Sequence, residues 1–381
     1  MNQSIEPGKI YDLSIIGGGL AGLSTAITVA RIGFKVILFE KEEYPFHKVC
    51  GEYMSMESWD YLTKLGLPLS TLNLPVIKNL IVTAPSGSLL TTELDMGGFG
   101  ISRYKLDNFL KQIAVASNVD VMEGCKVDDV IYEKDIFRVL SSQGSFISKT
   151  CCGSFGKKSN LDTRWHRGIE KKNSKFNNYV GIKYHVIADL PDDTIALHNF
   201  KNGYCGISKI EDGKSCLCYL TTAATLNKYG NSIEKMEEHA LGANPQLKGL
   251  FSSVKKITGP ITISQVSFRK KPLVNNHILF TGDAAGMISP LCGNGMSMAL
   301  HSGKIAGDLL SDYLGGGISR KQLENNYSTE WDKHFSARLK TGRIIQHFFG
   351  GKQMTNLFIN LLKKLPGLAN FIIRKTHGPV Y

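Results

Sequence analysis

The eight cysteines of this 381-residue chain contain no C-x-x-C pair, and no histidine stands at zinc-binding spacing from any of them. A structural metal site is therefore not expected. An arginine-rich run and a recognisable nucleic-acid module are both missing. Nucleic acid is set aside as a partner for that reason, although 45 Lys+Arg stand against 33 Asp+Glu, a net charge of +12. That excess belongs to an ordinary basic surface or favours an anionic membrane or an acidic substrate. No apolar run reaches the length of a membrane span. A secretory signal is also absent, because Glu6 and Lys9 precede the first apolar stretch and a glycine turn interrupts it. The expectation is a cytoplasmic protein whose thiols are reduced and mostly buried. A hydrophobic content of 42% and a charged content of 20% are ordinary for a globular chain, long enough for one large or two modest domains.

What the chain does have is most concentrated in residues 11–40. Leu13, Ile15 and Ile16 read as a buried strand. Gly17, Gly19 and Gly22 follow in the spacing G-x-G-x-x-G, then a helical pattern opened by Leu20 and Ala21, then a second strand ending at Glu40 and Lys41. The first glycine permits a tight turn, the second lets backbone approach a pyrophosphate, and the third lets helix pack on sheet. Free N–H groups at the helix start attract phosphate. Glu40 stands where an acid would hold ribose hydroxyls. A lone glycine fingerprint is weak, but strand, turn, helix, strand and acid arrive here in order, so a dinucleotide is expected.

A second informative stretch lies far downstream. An apolar strand over residues 278–280 runs into Gly282-Asp283, and Gly293-Asn294-Gly295-Met296 opens a long helix. A carboxylate at the carboxyl end of a parallel sheet faces the ligand crevice, where it can accept hydrogen bonds from a ribityl chain. The helix start can stabilise the negative charge that a reduced isoalloxazine carries. That second requirement points to FAD rather than NAD.

Between these stretches the reading is coarser. The loop after Glu40 holds His47 and Cys50; the cysteine is either a low-pKa thiol packed against a ring system or a small residue in a crowded turn. Arg103, ahead of an amphipathic helix, is either a cofactor contact or a solvated helix-start charge. Residues 75–100 read as short strands joined by turns at Pro85-Ser86-Gly87 and Gly97-Gly98. Gly144 and Asp212-Gly213 turn hairpins, residues 163–178 form a basic connecting excursion, and residues 232–250 are helical. The tail, residues 321–381, is helical and basic. It lies on a membrane, covers a greasy tunnel or packs on its own domain.

Taken together, these residues resemble the FAD-dependent superfamily that contains aromatic-ring hydroxylases and geranylgeranyl reductases. The resemblance rests on the Gly17-x-Gly19-x-x-Gly22 fingerprint with Glu40, the late Gly282-Asp283…Pro290…Gly293-x-Gly295 segment, and the loop Pro45-Phe46-His47-Lys48-Val49-Cys50-Gly51. It departs at Phe155, where hydroxylases have the aspartate of an Asp-Gly motif, and at Gly286, where many carry a histidine. Glu52 replaces the second glycine of the reductase Cys-Gly-Gly. Gly203-Tyr204-Cys205-Gly206 stands in place of an aromatic motif shared with halogenases, which argues against halogenation.

The resemblance implies an α/β fold: a Rossmann-like FAD-binding domain with a parallel sheet, an antiparallel-sheet substrate domain and a C-terminal helical segment. The expected boundaries are 1–74, 101–170 and 265–320 for the first, 75–100 and 171–264 for the second, and 321–381 for the third. It implies FAD, with NAD(P)H or an electron-donor protein as a transient reductant, and a hydrophobic small-molecule substrate. Peripheral membrane contact fits the same picture. Cys50 and His47 are the candidate catalytic residues. Gly17, Gly19, Leu20, Ala21, Gly22, Glu40, Lys41, Arg103, Gly282, Asp283, Gly293, Asn294, Gly295 and Met296 are the candidate cofactor contacts. The activity implied first is flavin hydride delivery to a prenyl or polyketide-type double bond. The alternatives are hydroxylation of an aromatic or polyketide ring through a C4a-hydroperoxide, and a flavin-binding redox sensor without turnover.

Overall fold

The computed structural model describes residues 9–157, 159–167, 177–268, 271–349 and 351–381. Ile10–Ile16 is the centre of an eight-stranded sheet. It pairs in parallel with Val36–Phe39 on one side and Gly144–Gly153 on the other. Asp120–Met122 and Ile278–Phe280 continue the parallel run outward. Leu13, Ile15, Ile37 and Leu38 are wholly buried. Burial on both faces is why these strands are apolar runs instead of alternating patterns. Val127–Glu133 and Ile136–Ser141 form an antiparallel hairpin turned at Lys134-Asp135, and Ile136–Ser141 pairs in turn with Gly144–Gly153 through the turn expected at Gly144. The helix Leu20–Arg31 lies on the helix Gly295–Leu314 at very close range. A Cβ on Gly303 would stand 2.4 Å from the Ala21 carbonyl oxygen, so the two backbones touch.

The second sheet has nine strands and is antiparallel except where Thr194–Phe200 runs parallel to Val76–Thr83. Asp212 and Gly213, both at positive φ, turn Gly203–Lys209 into Ser215–Thr222. Leu89–Gly100 is one unbroken strand, which corrects the turn expected at Gly97-Gly98. Gly97, at φ +66°, instead accommodates a bulge where the register against Ile77 and Asn79 shifts. Tyr53–Ser55 was grouped by sequence with the nucleotide-binding segments, yet it hydrogen-bonds to Gly98–Gly100 of the second sheet. Ile261–Ser267 likewise runs on in this sheet past residue 265. The helical stretch expected over 232–250 breaks where Asn244 caps a new helix, Pro245–Ser253. Most of the basic excursion, residues 168–176, lies outside the described residues.

Three helices complete the chain. Arg320–Phe348 starts from a capping box at Ser319 and buries Tyr327, Trp331 and Phe335 against the parallel-sheet domain. Lys352–Lys364 and Pro366–Thr376 cross the second sheet, where Ile359, Leu362 and Ala369 pack on Val82, Ala84 and Leu90. Among the described residues no helix is long and apolar enough to cross a membrane. All eight cysteines are free, and only Cys50 and Cys218 are not fully buried.

Candidate active site

One cavity of about 920 Å³ opens between the two sheets, at the upper end of the range for small-molecule sites. Its wall begins at Gly17, Gly19, Leu20 and Ala21, passes Glu40, Lys41, His47, Cys50 and Arg103, and includes Gly282, Asp283, Gly293, Gly295 and Met296. Fourteen of the sixteen residues singled out by sequence therefore meet in one place. Gly22 and Asn294 do not reach the cavity surface. Gly22 packs against the Gly17 carbonyl. Asn294 is buried one layer back, donating from Nδ2 to the Thr376 carbonyl at 2.8 Å while its Oδ1 has no partner.

At the glycine end the turn leaves Ile10–Ile16 at Gly17, whose φ of +105° and contact with Ser154 both forbid a side chain: a Cβ would stand 2.5 Å from the Ser154 carbonyl oxygen. A Cβ on Gly19 would meet only side-chain nitrogens of Arg103 and Lys48, each at 3.8 Å. Backbone N–H groups and two cations thus bound an open cradle, a donor set that fits a diphosphate. Glu40 accepts the Gly18 amide at 3.0 Å and the Glu42 amide at 3.2 Å. Arg103 is not solvated. Its guanidinium donates twice to Asp107, at 2.7 and 2.8 Å, and Lys48 joins the same carboxylate at 3.1 Å. Burial works against the guanidinium charge, but Asp107 holds its pKa above the ordinary arginine value. Asp107 one helical turn after Arg103 was the available sequence signal.

The loop carrying His47 and Cys50 crosses the second sheet. Glu52, fully buried at φ +54°, is its anchor. One carboxylate oxygen accepts from the Lys183 ammonium and from the Arg103 amide, the latter at 2.8 Å, and the other meets His185 Nε2 at 2.7 Å. Burial would raise the Glu52 pKa, yet His185 and Lys183 hold it below the ordinary value. Lys183 stays charged for the reciprocal reason: burial opposes the ammonium, while Cys216 and Glu52 favour it. His47 packs at a tilt of 31° against Tyr104 and meets His185 edge-on. Its pKa is lowered, first by burial and then by Lys183, so a neutral imidazole faces the cavity. Cys50 is half-buried at the wall, and its carbonyl accepts from the Cys216 thiol at 3.2 Å. Sequence reasoning did not find Lys183 or His185, which are more than a hundred residues from their partner.

Beyond Cys50 the wall turns apolar: Val82, Leu90, Leu197 and Ile207 from the second sheet, Met287 and Ile288 from below, and Phe349, Phe358, Ile359 and Leu362 from the tail. The tail thus covers a greasy chamber. At Gly286 a Cβ would stand 3.0 Å from the Trp331 ring and 3.3 Å from Leu339, so a side chain there requires both neighbours to shift.

A parallel-sheet domain with a glycine cradle, joined to an antiparallel sheet over an apolar chamber, defines a two-domain flavoprotein. Residues 12–48 match the family model described as FAD binding domain. An uncharacterised protein of Methanosarcina barkeri is 25% identical over 355 residues, covering 90% of this chain and 84% of that one. A digeranylgeranylglycerophospholipid reductase of Methanocaldococcus jannaschii is 24% identical, covering 90% and 88%. The solved structure of the flavin-dependent brominase Bmp2 has the same fold, with a TM-score of 0.80 at 21% identity over 97% of this chain and 93% of that one. The chain is a FAD-dependent oxidoreductase, similar along most of its length to digeranylgeranylglycerophospholipid reductases and, in fold, to flavin-dependent halogenases.

Proposed function

We propose that the chain is a reductase that saturates a carbon–carbon double bond of a hydrophobic, prenyl- or polyketide-type molecule. The observation that carries this reading is the continuity of one cavity from the glycine cradle, past Cys50, into an apolar chamber closed by the tail. When bound, FAD supplies the hydride, replenished by NAD(P)H or an electron-donor protein. Gly17, Gly19 and the first amides of Leu20–Arg31 would hold its diphosphate with Arg103, and Glu40 its ribose. Lys41 stands at the rim of that end. Asp283, beside Gly282, would accept from the ribityl hydroxyls. The uncapped start of Gly295–Leu314, with Gly293 and Met296, would stabilise negative charge at the ring.

The chain's own contribution is to orient the alkene, exclude water and supply one proton. Cys50, which lines the cavity, would protonate the second carbon as hydride reaches the first, or position a water that does. The thiolate left behind would be reprotonated from solvent. Neutral His47, which lines the same cavity, would pass that proton.

The test is anaerobic. Holoprotein reduced with dithionite is mixed with a polyprenyl lipid, and flavin reoxidation is followed by absorbance while products are weighed by mass spectrometry. Reoxidation without O₂ and a product heavier by two hydrogens is expected. A requirement for O₂ and a product heavier by one oxygen would replace this reading with hydroxylation.

A further inference from the structure

We infer that the outward face of the last two helices docks on an anionic lipid bilayer. Lys352–Lys364 is apolar on two sides. Ile359 and Leu362 face inward and line the cavity. Met354, Leu357 and Leu361, at positions i, i+3 and i+7, form a second stripe that is 49%, 68% and 44% exposed. Leu365 and Phe371 continue the exposed apolar surface into Pro366–Thr376. A helix that only packed on its own domain would need the inner stripe alone.

The charge around this stripe is one-sided. From Lys333 to Tyr381 the chain has nine Lys and Arg and no Asp or Glu, so nine of the +12 net charges fall in this segment. Lys352, Lys363, Lys364, Arg374 and Lys375 are all exposed. Arg338 is buried on Glu57, Arg374 pairs with Asp95 and Lys333 with Glu330, which leaves Lys352, Lys363, Lys364 and Lys375 as the cations of the border. A basic border around exposed leucines and a phenylalanine is the pattern of a helix lying in the membrane interface, where acyl chains take the apolar side chains and anionic headgroups the cations. At 13 and 11 residues the two helices are too short to span a bilayer. A second copy of this chain would bring the same cations face to face in a two-fold dimer. Nucleic acid would leave the leucine stripe unpaired. On the reading of a hydrophobic substrate, which this inference deepens, the helices that cover the cavity would lie against the phase in which that substrate dissolves.

Full-length holoprotein is sedimented with phosphatidylcholine vesicles with and without phosphatidylglycerol, at low and high salt. Binding only to the anionic vesicles, weakened by salt, is expected. Leu357→Glu/Leu361→Glu and, separately, Lys363→Glu/Lys364→Glu should each weaken it by more than about tenfold. All four side chains are exposed, so flavin content and circular dichroism should be unchanged. The inference is overturned if wild type ignores anionic vesicles at low salt, or if both variants bind as well as wild type. A dimer in gel filtration that Leu357→Glu/Leu361→Glu dissolves would assign the face to a second copy instead. Vesicle binding needs no turnover, so a protein that binds bilayers but never reduces an alkene would refute the proposed reaction alone.

Discussion

His185 Nε2 lies 2.7 Å from the Glu52 carboxylate, whose other oxygen meets the Lys183 ammonium. One acidic side chain therefore ties the loop beside the cofactor cradle to the strand Asn177–Ile187 of the second sheet. Removing one partner of such a buried set leaves an uncompensated charge, at a cost of about 3–5 kcal/mol. Glu52→Gln should lose stability on that order, and Glu52→Gln/Lys183→Met should recover much of it. Denaturant unfolding of the holoprotein measures both; equal losses in the two variants would mean that Glu52 and Lys183 are not coupled.

Asp283 faces the cavity at the end of the strand Ile278–Phe280. Asp283→Ala should weaken flavin retention by about tenfold, the loss of one or two hydrogen bonds to a charged acceptor. The ratio of flavin to protein absorbance after gel filtration reads this directly, and full occupancy in the variant would refute the assigned contact.

Cys50→Ser separates a chemical role from a packing one. Serine is close in size but a far weaker acid. Flavin content should stay at the wild-type level while turnover falls about 10²-fold, the usual scale for a lost proton donor. Unchanged turnover would make the thiol structural.

His198 is nearly buried and bonded to Thr83 at 3.0 Å, and burial pushes its pKa from 6.5 down to about 4. The unfolded chain therefore binds more protons than the folded one between these values, and stability falls as pH drops through that window. The loss from this one group is roughly 3 kcal/mol at pH 4. In His198→Gln that part of the acid limb should vanish. Parallel unfolding curves at pH 7 and pH 4 give the difference; an unaltered difference would mean that His198 is not the group responsible.

Gly286 is tightly packed, with the Trp331 ring 3.0 Å from where a Cβ would stand. Gly286→Ala should cost about 1–3 kcal/mol through overpacking, visible in the melting temperature. No loss would show that the Trp331 ring gives way freely.

How much of this was legible depended on how local each signal is. The order strand, turn, helix, strand and acid over residues 11–40 is contiguous, and each step constrains the next, so the cradle could be read directly. Asp283 could be read because a strand end and a helix start flank it. Glu52 meets Lys183 and His185 across 131 and 133 residues, and nothing in either segment signals the other. Tyr53–Ser55 is three residues long, too short for any periodicity, and only its pairing with Gly98–Gly100 reveals its sheet. Gly97-Gly98 looks like a turn because bulge and turn use the same residue for the same positive φ. In the tail, two apolar stripes on one helix blur the single-face pattern from which a packing direction would be inferred.

The contact of Gly303 with the Ala21 carbonyl has a mechanical corollary. Where backbones abut with no side chains between them, there is no soft layer to stretch. If the turns at Gly17 and Gly293 hold the two ends of the cofactor as proposed, they would be fixed jaws of one caliper, set to a single gap. A mononucleotide flavin would be gripped by one jaw alone, and discrimination by length would come from the frame itself, before any particular hydrogen bond is counted.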